Sequence, residues 1–271
     1  MLIIRRLMRS MGKASYLIKI NAKHLYRIAI FITVFHPSQL FGQEAEAFPK
    51  TRTIGLQLGA QSFLLNDEIG SNLNYSGSAF AAALTYQASE NKKRQAISLR
   101  YASPTITNDF NSSQIEGLLV MVDYSFQKKV THFSSIQSDL YLGPYVRFQG
   151  FDRTFNFDRN TGSKDTGEVF GSVGLSTSLA KNFGAKNRFD ASVGIPVLSY
   201  IFSREFTGSF TNEFLWVNRL VDYRFQLDYQ RKLQGNWSFQ AGYGFNYYHA
   251  DRTNDVNYGS HLFLVGFLMN I

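Results

Sequence analysis

Cysteine is absent from the 271 residues. That excludes disulfide frameworks, thiolate metal sites and cysteine nucleophiles. It also excludes a lipid carried on an N-terminal cysteine. Charge is scarce, at 18% of residues against a typical ~25%. No apolar run reaches the ~18 residues of a membrane-spanning helix. Aromatics are plentiful by contrast, with 25 Phe and 15 Tyr, and hydrophobic residues make up 44% of the chain. Low charge with many aromatics argues against disorder. The chain thus carries surplus apolar surface and no helix with which to bury it in a bilayer.

The net charge of +8 is localised. Residues 1–42 hold Arg5, Arg6, Arg9, Lys13, Lys19, Lys23 and Arg27 and no acid; the rest of the chain has 21 basic and 20 acidic residues. A charge confined to the first segment does not predict nucleic-acid binding. It reads instead as the n-region of a secretory signal over 1–43, with Met8 or Met11 as alternative starts. The apolar stretch Ile28–Phe35 follows, and the small residues Ala45 and Ala47 put cleavage within 42–47. An inner-membrane anchor is the competing reading, but eight apolar residues are too few to span.

From Arg52 onward, segments of about 10–15 residues alternate large apolar with polar or small side chains, as strands do. Ten can be traced: 52–65, 75–88, 94–103, 114–128, 134–151, 167–181, 187–203, 215–231, 236–250 and 257–271. In the fifth, Ile136, Leu140, Leu142, Val146 and Phe148 share one face; Asp139, Tyr141, Tyr145, Arg147 and Gln149 share the other. In the eighth, Val217, Val221, Tyr223, Phe225, Leu227 and Tyr229 oppose Asp222, Arg224, Gln226 and Asp228. The ninth alternates from Trp237 to Tyr248 in the same way. Either a soluble sandwich or a membrane barrel produces such alternation.

Three features choose the barrel. The clear segments exceed the ~5–6 residues of ordinary strands and reach the ~9–11 needed to cross a bilayer at a tilt. Trp237, Tyr247, Tyr223 and Tyr229 sit near the ends of apolar faces, as interfacial aromatic belts do. The connectors also alternate in kind. Those after even segments are short and hold ten Lys or Arg and one acid; those after odd segments are mostly longer and hold ten acids and five basic residues. Opposite sides of a membrane would receive them.

The chain ends HLFLVGFLMNI, with Phe263, Val265, Phe267, Met269 and Ile271 on one face. With these features the sequence resembles bacterial outer-membrane β-barrel proteins over about 52–271. The resemblance implies an all-β, transmembrane, antiparallel up-and-down barrel of about ten strands; eight or twelve also fit the pattern. It implies a C-terminal strand read by the barrel-assembly machinery, although Ile271 stands where those proteins usually end in Phe. It further implies contact with outer-membrane lipid and lipopolysaccharide in a Gram-negative envelope, both termini periplasmic, and 44–51 as a short periplasmic lead-in. Pro144 and Pro196, within segments five and seven, predict a bulge at each or strand limits other than those traced, because a closed barrel has no free edge to tolerate proline.

Chemistry is sparse. Asp123, Asp139, Tyr141, Tyr145, Arg147, Asp190, Asp222, Arg224 and Asp228 are expected to face the lumen, with Arg100 and Glu116 near strand ends. Both charge signs are present, so a plug of ion pairs is expected, with a narrow pore as the alternative. His249 and Asp251 are the most enzyme-like pair, a rim base and its orienter. Barrel proteases of the omptin type place acid before His at this spacing; here the order is reversed. Asp152, Asp158 and Asp165 lack the spacing of a calcium loop. There is no phosphate-binding glycine loop and no nucleophile elbow, so no metal and no cofactor is expected. The reading is a non-enzymatic envelope barrel with acidic surface loops in a structural or interaction role. The alternatives are a narrow pore for ions or small solutes and a rim hydrolase using His249 and Asp251.

Overall fold

Alternating side chains make every long segment a strand with one apolar and one mixed face. The computed structural model describes residues 51–67, 71–90, 92–108, 113–156, 163–204, 208–250 and 256–271. The expected signal and most of the lead-in lie outside them. The strands are β1 (Thr51–Asp67), β2 (Ser71–Glu90), β3 (Lys93–Ala102), β4 (Thr105–Thr107), β5 (Gln114–Phe133), β6 (Ser138–Asn156), β7 (Ser163–Phe183), β8 (Asn187–Arg204), β9 (Phe210–Trp216), β10 (Leu220–Lys232), β11 (Trp237–Ala250) and β12 (Val256–Asn270).

All pairings are antiparallel; most join consecutive strands, β3 pairs with β5 and β8 with β10, and β1 closes the ring on β12 through Thr53↔Asn270 to Asp67↔Val256. The architecture is a closed ten-strand antiparallel barrel with two short additional strands. β4 lies between β2 and β5 beyond β3, and β9 pairs with β8 beyond β10. Closure leaves no edge on the ten-strand ring, which a sandwich would have.

The outward parity is apolar over most of the strand length. Leu56, Leu58, Phe80, Leu84, Phe148, Leu175, Phe263, Val265 and Phe267 are all exposed. A continuous wall of this kind is incompatible with water and matches the lipid face of a membrane barrel. Trp237 stands exposed near the short-turn end. Tyr200, Phe202, Phe210, Phe214 and Trp216 form an outward aromatic group near the long-loop end, with Tyr200 against Phe214 and Phe202 stacked on Phe210.

Proline stands at two of the interruptions. Pro104 separates β3 from β4. At Pro196, Val197 is the extra residue of a bulge against Val173 and Gly174. On its other side β10 hands over to β9, and Val217 N donates to Val197 O at 3.1 Å. At Pro144 the expected bulge is absent. Cross-strand partners run out between Ser125↔Tyr145 and Lys128↔Leu142, and the bulge of that hairpin sits at Val130. Gly143 permits the close approach there, because a Cβ would overlap the Phe126 carbonyl.

Three expected positions are corrected. Ile136 lies in the turn before β6 and Val217 in the turn between β9 and β10, so neither belongs to a strand face. Apolar turn residues happen to continue the alternation. Glu116 takes the outward parity with exposed Leu118 and Val120, rather than the lumen parity. The strands also run further than their alternation shows, so much of the expected connector 151–167 belongs to β6 and β7.

Candidate functional site

Ten strands give a lumen only slightly wider than its own side chains can fill. Which side chains fill it changes along the axis, in three layers.

The middle layer is a charged belt. β6 directs Arg147 inward, where it is 1% exposed. Its Nε donates to Asp123 Oδ1 of the neighbouring β5 at 2.8 Å. Its Nη1 crosses the lumen to Asp222 Oδ1 of β10 at 2.9 Å, and Nη2 reaches Asn246 Oδ1 of β11 at 3.4 Å. Asp123 also meets Arg100 of β3 at 3.2 Å and Arg224 of β10 at 3.1 Å. One arginine thus bridges two carboxylates, and one carboxylate gathers three arginines. Buried charges persist only when paired in this way. Gln226 and Gln240 extend the belt by donating to Asp228 at 2.7 and 3.0 Å.

The layer toward the long loops is mainly apolar, with one buried ion pair, Arg153 to Glu168 at 3.4 Å, among its rings. Phe63, Tyr75, Ile106, Ile115, Leu119, Phe151, Phe155, Phe170, Ile201, Leu215, Tyr248 and Tyr258 are all buried there. Phe170 stacks on Tyr248 at 4.9 Å between centroids, and Phe63, Phe151 and Tyr258 pack mutually at 5.9–6.5 Å. Alanines at 79, 81 and 83 on β2 make room for these rings. Sequence reading missed this layer because it assigned the lumen to polar groups. The signal was present: Phe151 and Phe155 share the parity of Arg147.

The layer toward the short turns is an open polar cavity of ≈ 580 Å³. Its wall carries Arg94, Arg188, Asp190, Arg224, Gln226, Asp228 and Tyr145, and Lys186 and Lys232 stand at its mouth. Arg94 of β3 reaches across to Asp190 of β8 at 2.9 Å, and Arg188 Nε donates to Asp190 at 2.6 Å.

The structure therefore brings Asp123, Arg147, Asp222 and Arg224 into one network, with Asp228 joined through Gln226. Tyr145 is buried beside it. Tyr141 lies lower, with the Arg94 guanidinium 4.7 Å over its ring. Asp139 stands apart at the short-turn end, bound to Lys129 at 2.6 Å and His132 at 2.7 Å. Phe263, Val265, Phe267, Met269 and Ile271 share the outward face of β12 and its end.

Of the enzyme-like pair, only His249 lies among the described residues. His249 takes the outward parity of β11 with Phe245 and Tyr247, opposite the buried Asn246 and Tyr248. Its Nδ1 is buried without a hydrogen-bond partner, and Asp251 lies outside the described residues. Asp152 instead pairs with Arg204 at 3.0 Å and Asp165 accepts from Thr154 at 2.8 Å, so these two aspartates do not converge on a cation; Asp158 is outside the described residues. Among the described residues no group of three acids or histidines is placed to hold a metal.

No protein-family model and no curated protein matches the chain. Among solved structures it is similar to the outer membrane protease OmpT of Escherichia coli, at 7% identity and a TM-score of 0.47, covering 84% of this chain and 99% of that one. It is similar to the translocator domain of the autotransporter NalP of Neisseria meningitidis, at 11% identity and 0.44, covering 92% and 96%. It is also similar to Neisserial surface protein A, at 13% identity and 0.33, covering 80% and 96%. The fold itself, a closed ten-strand antiparallel barrel, is read from the strand pairings of this chain.

Proposed function

We propose that the protein is a non-enzymatic, closed barrel of a Gram-negative outer membrane, with a structural or interaction role in the envelope. The observation that carries this reading is the doubly blocked lumen. The belt centred on Arg147 spans it from wall to wall, and the aromatic layer fills the loop-side half. A solute would have to break a buried ion-pair network and then part packed rings. Both steps oppose the alternative of an open pore.

In this reading the short basic turns and both termini face the periplasm, and the longer acidic connectors face outward. The outward wall contacts lipid and, on the outer leaflet, lipopolysaccharide. The strand ending in Phe267, Met269 and Ile271 is the segment that the barrel-assembly machinery would read. In this reading the longer acidic connectors carry recognition of partners at the cell surface.

Planar-bilayer recording on the purified protein tests it. The expected result is no stepwise conductance above the lipid baseline. Reproducible unitary steps would replace the closed barrel with the pore.

A further inference from the structure

The plug explains two of the three lumen layers and leaves the cavity at the short-turn end without a role. A structural plug does not require this space, because the charged belt and the aromatic layer already close the lumen. The volume of ≈ 580 Å³ lies within the ~300–1,000 Å³ of small-molecule sites.

Its charges are unequal. Arg94, Arg188, Arg224, Lys186 and Lys232 line it, against Asp190 and Asp228 alone. Both carboxylates are already engaged. Asp190 is held by Arg94 and Arg188, and Asp228 accepts from Gln226 and Gln240. Lys186 and Lys232 make no ion pair among the described residues. The remaining capacity is therefore cationic and donor-rich. Gln87 and Gln230 supply neutral amide groups on the same wall, whereas Gln127 is engaged with Ser176 and Ser178 at 3.0 and 2.7 Å. Guanidinium and ammonium groups suit carboxylate or phosphate, and neutral amides suit hydroxyls.

We propose that this cavity is a blind binding site for a small anionic polyol, a phosphorylated or carboxylated sugar. Its anionic group sits toward Arg188, Lys186 and Lys232, and its hydroxyls meet the glutamines deeper in. The charged belt forms the floor, so the ligand enters and leaves by the same mouth. The inference uses only the cavity and holds whichever side of the membrane the mouth faces.

Calorimetric titration of the detergent-folded protein tests it, with glucose 6-phosphate, glucuronate, glucose and inorganic phosphate as probes. The two anionic sugars should bind at least about tenfold more tightly than glucose, and more tightly than phosphate alone. Binding should weaken as salt rises. Lys186→Gln combined with Lys232→Gln should weaken it about tenfold while the heat-dependent gel shift of the folded barrel is retained. Arg188→Gln, which leaves Arg94 on Asp190, should do the same. Equal affinity for glucose and its phosphate would overturn the proposal. So would anionic-sugar binding unchanged in these variants, or displaced only by anionic lipid headgroups.

Discussion

Arg147 has no redundancy on one side and ample redundancy on the other. Without it Asp123 keeps Arg100 and Arg224, but Asp222 loses the only ion pair it makes among the described residues. Arg147→Met should therefore destabilise the barrel by about 3–5 kcal/mol, most of it the cost of an uncompensated buried carboxylate. Adding Asp222→Leu removes that carboxylate and should recover a substantial part of the loss. Urea unfolding of the single and double variants in detergent micelles reads both, and additive losses would mean the two residues are not coupled. Gly59 is decisive for a steric reason. A Cβ there would overlap the Phe263 carbonyl across the β1–β12 seam. Gly59→Val should impair closure, seen as loss of the heat-dependent gel shift, whereas Ala60→Val on the outward face should preserve it.

The strands sort side chains by parity, so a lipid-face charge and a lumen change have different costs. Phe263 lies near the middle of β12, exposed on the outer wall. Phe263→Arg should cost about 2–4 kcal/mol in refolding titrations into lipid vesicles, as charges near the bilayer midplane do. A cost below ~1 kcal/mol would place that residue at an interface instead. Parity was legible in the sequence for this reason: a period of two survives any neighbour. It correctly grouped Tyr145 with Arg147, Asp222 with Arg224, and Phe263 with Phe267. It failed where the period breaks for reasons outside the local pattern. Val130 shifts the parity of β5 by a bulge beyond the traced segment 114–128, whereas the bulge at Val197 is the one that Pro196 announced. Ile136 and Val217 imitate strand positions from within turns. The lower end of the belt was legible as charge but not as partnership. Arg147 and Asp222 are 75 residues apart, and only the stagger of a closed ring decides which inward residues meet.

At the scale of the molecule, one chain separates three environments by radius and by height: an apolar wall outside, charge and aromatic rings within, and a polar cavity toward the short turns. The aromatic layer escaped the sequence because polar-in is only the commonest filling of a lumen. A barrel this narrow can equally be packed with Phe and Tyr against small residues such as Ala81 and Ala83. The central claim is that the apolar outer wall faces lipid. The chain has two tryptophans, Trp216 and Trp237, both outward, near opposite ends of the barrel and 59% and 49% exposed. Fluorescence of the protein reconstituted into vesicles, with bromine placed along the acyl chains, reads their surroundings directly. Both residues should emit as buried indoles and be quenched by bromine close to the headgroups, more strongly than by bromine at the bilayer centre. Emission characteristic of water, unaffected by brominated lipid, would mean that the wall is not a lipid face.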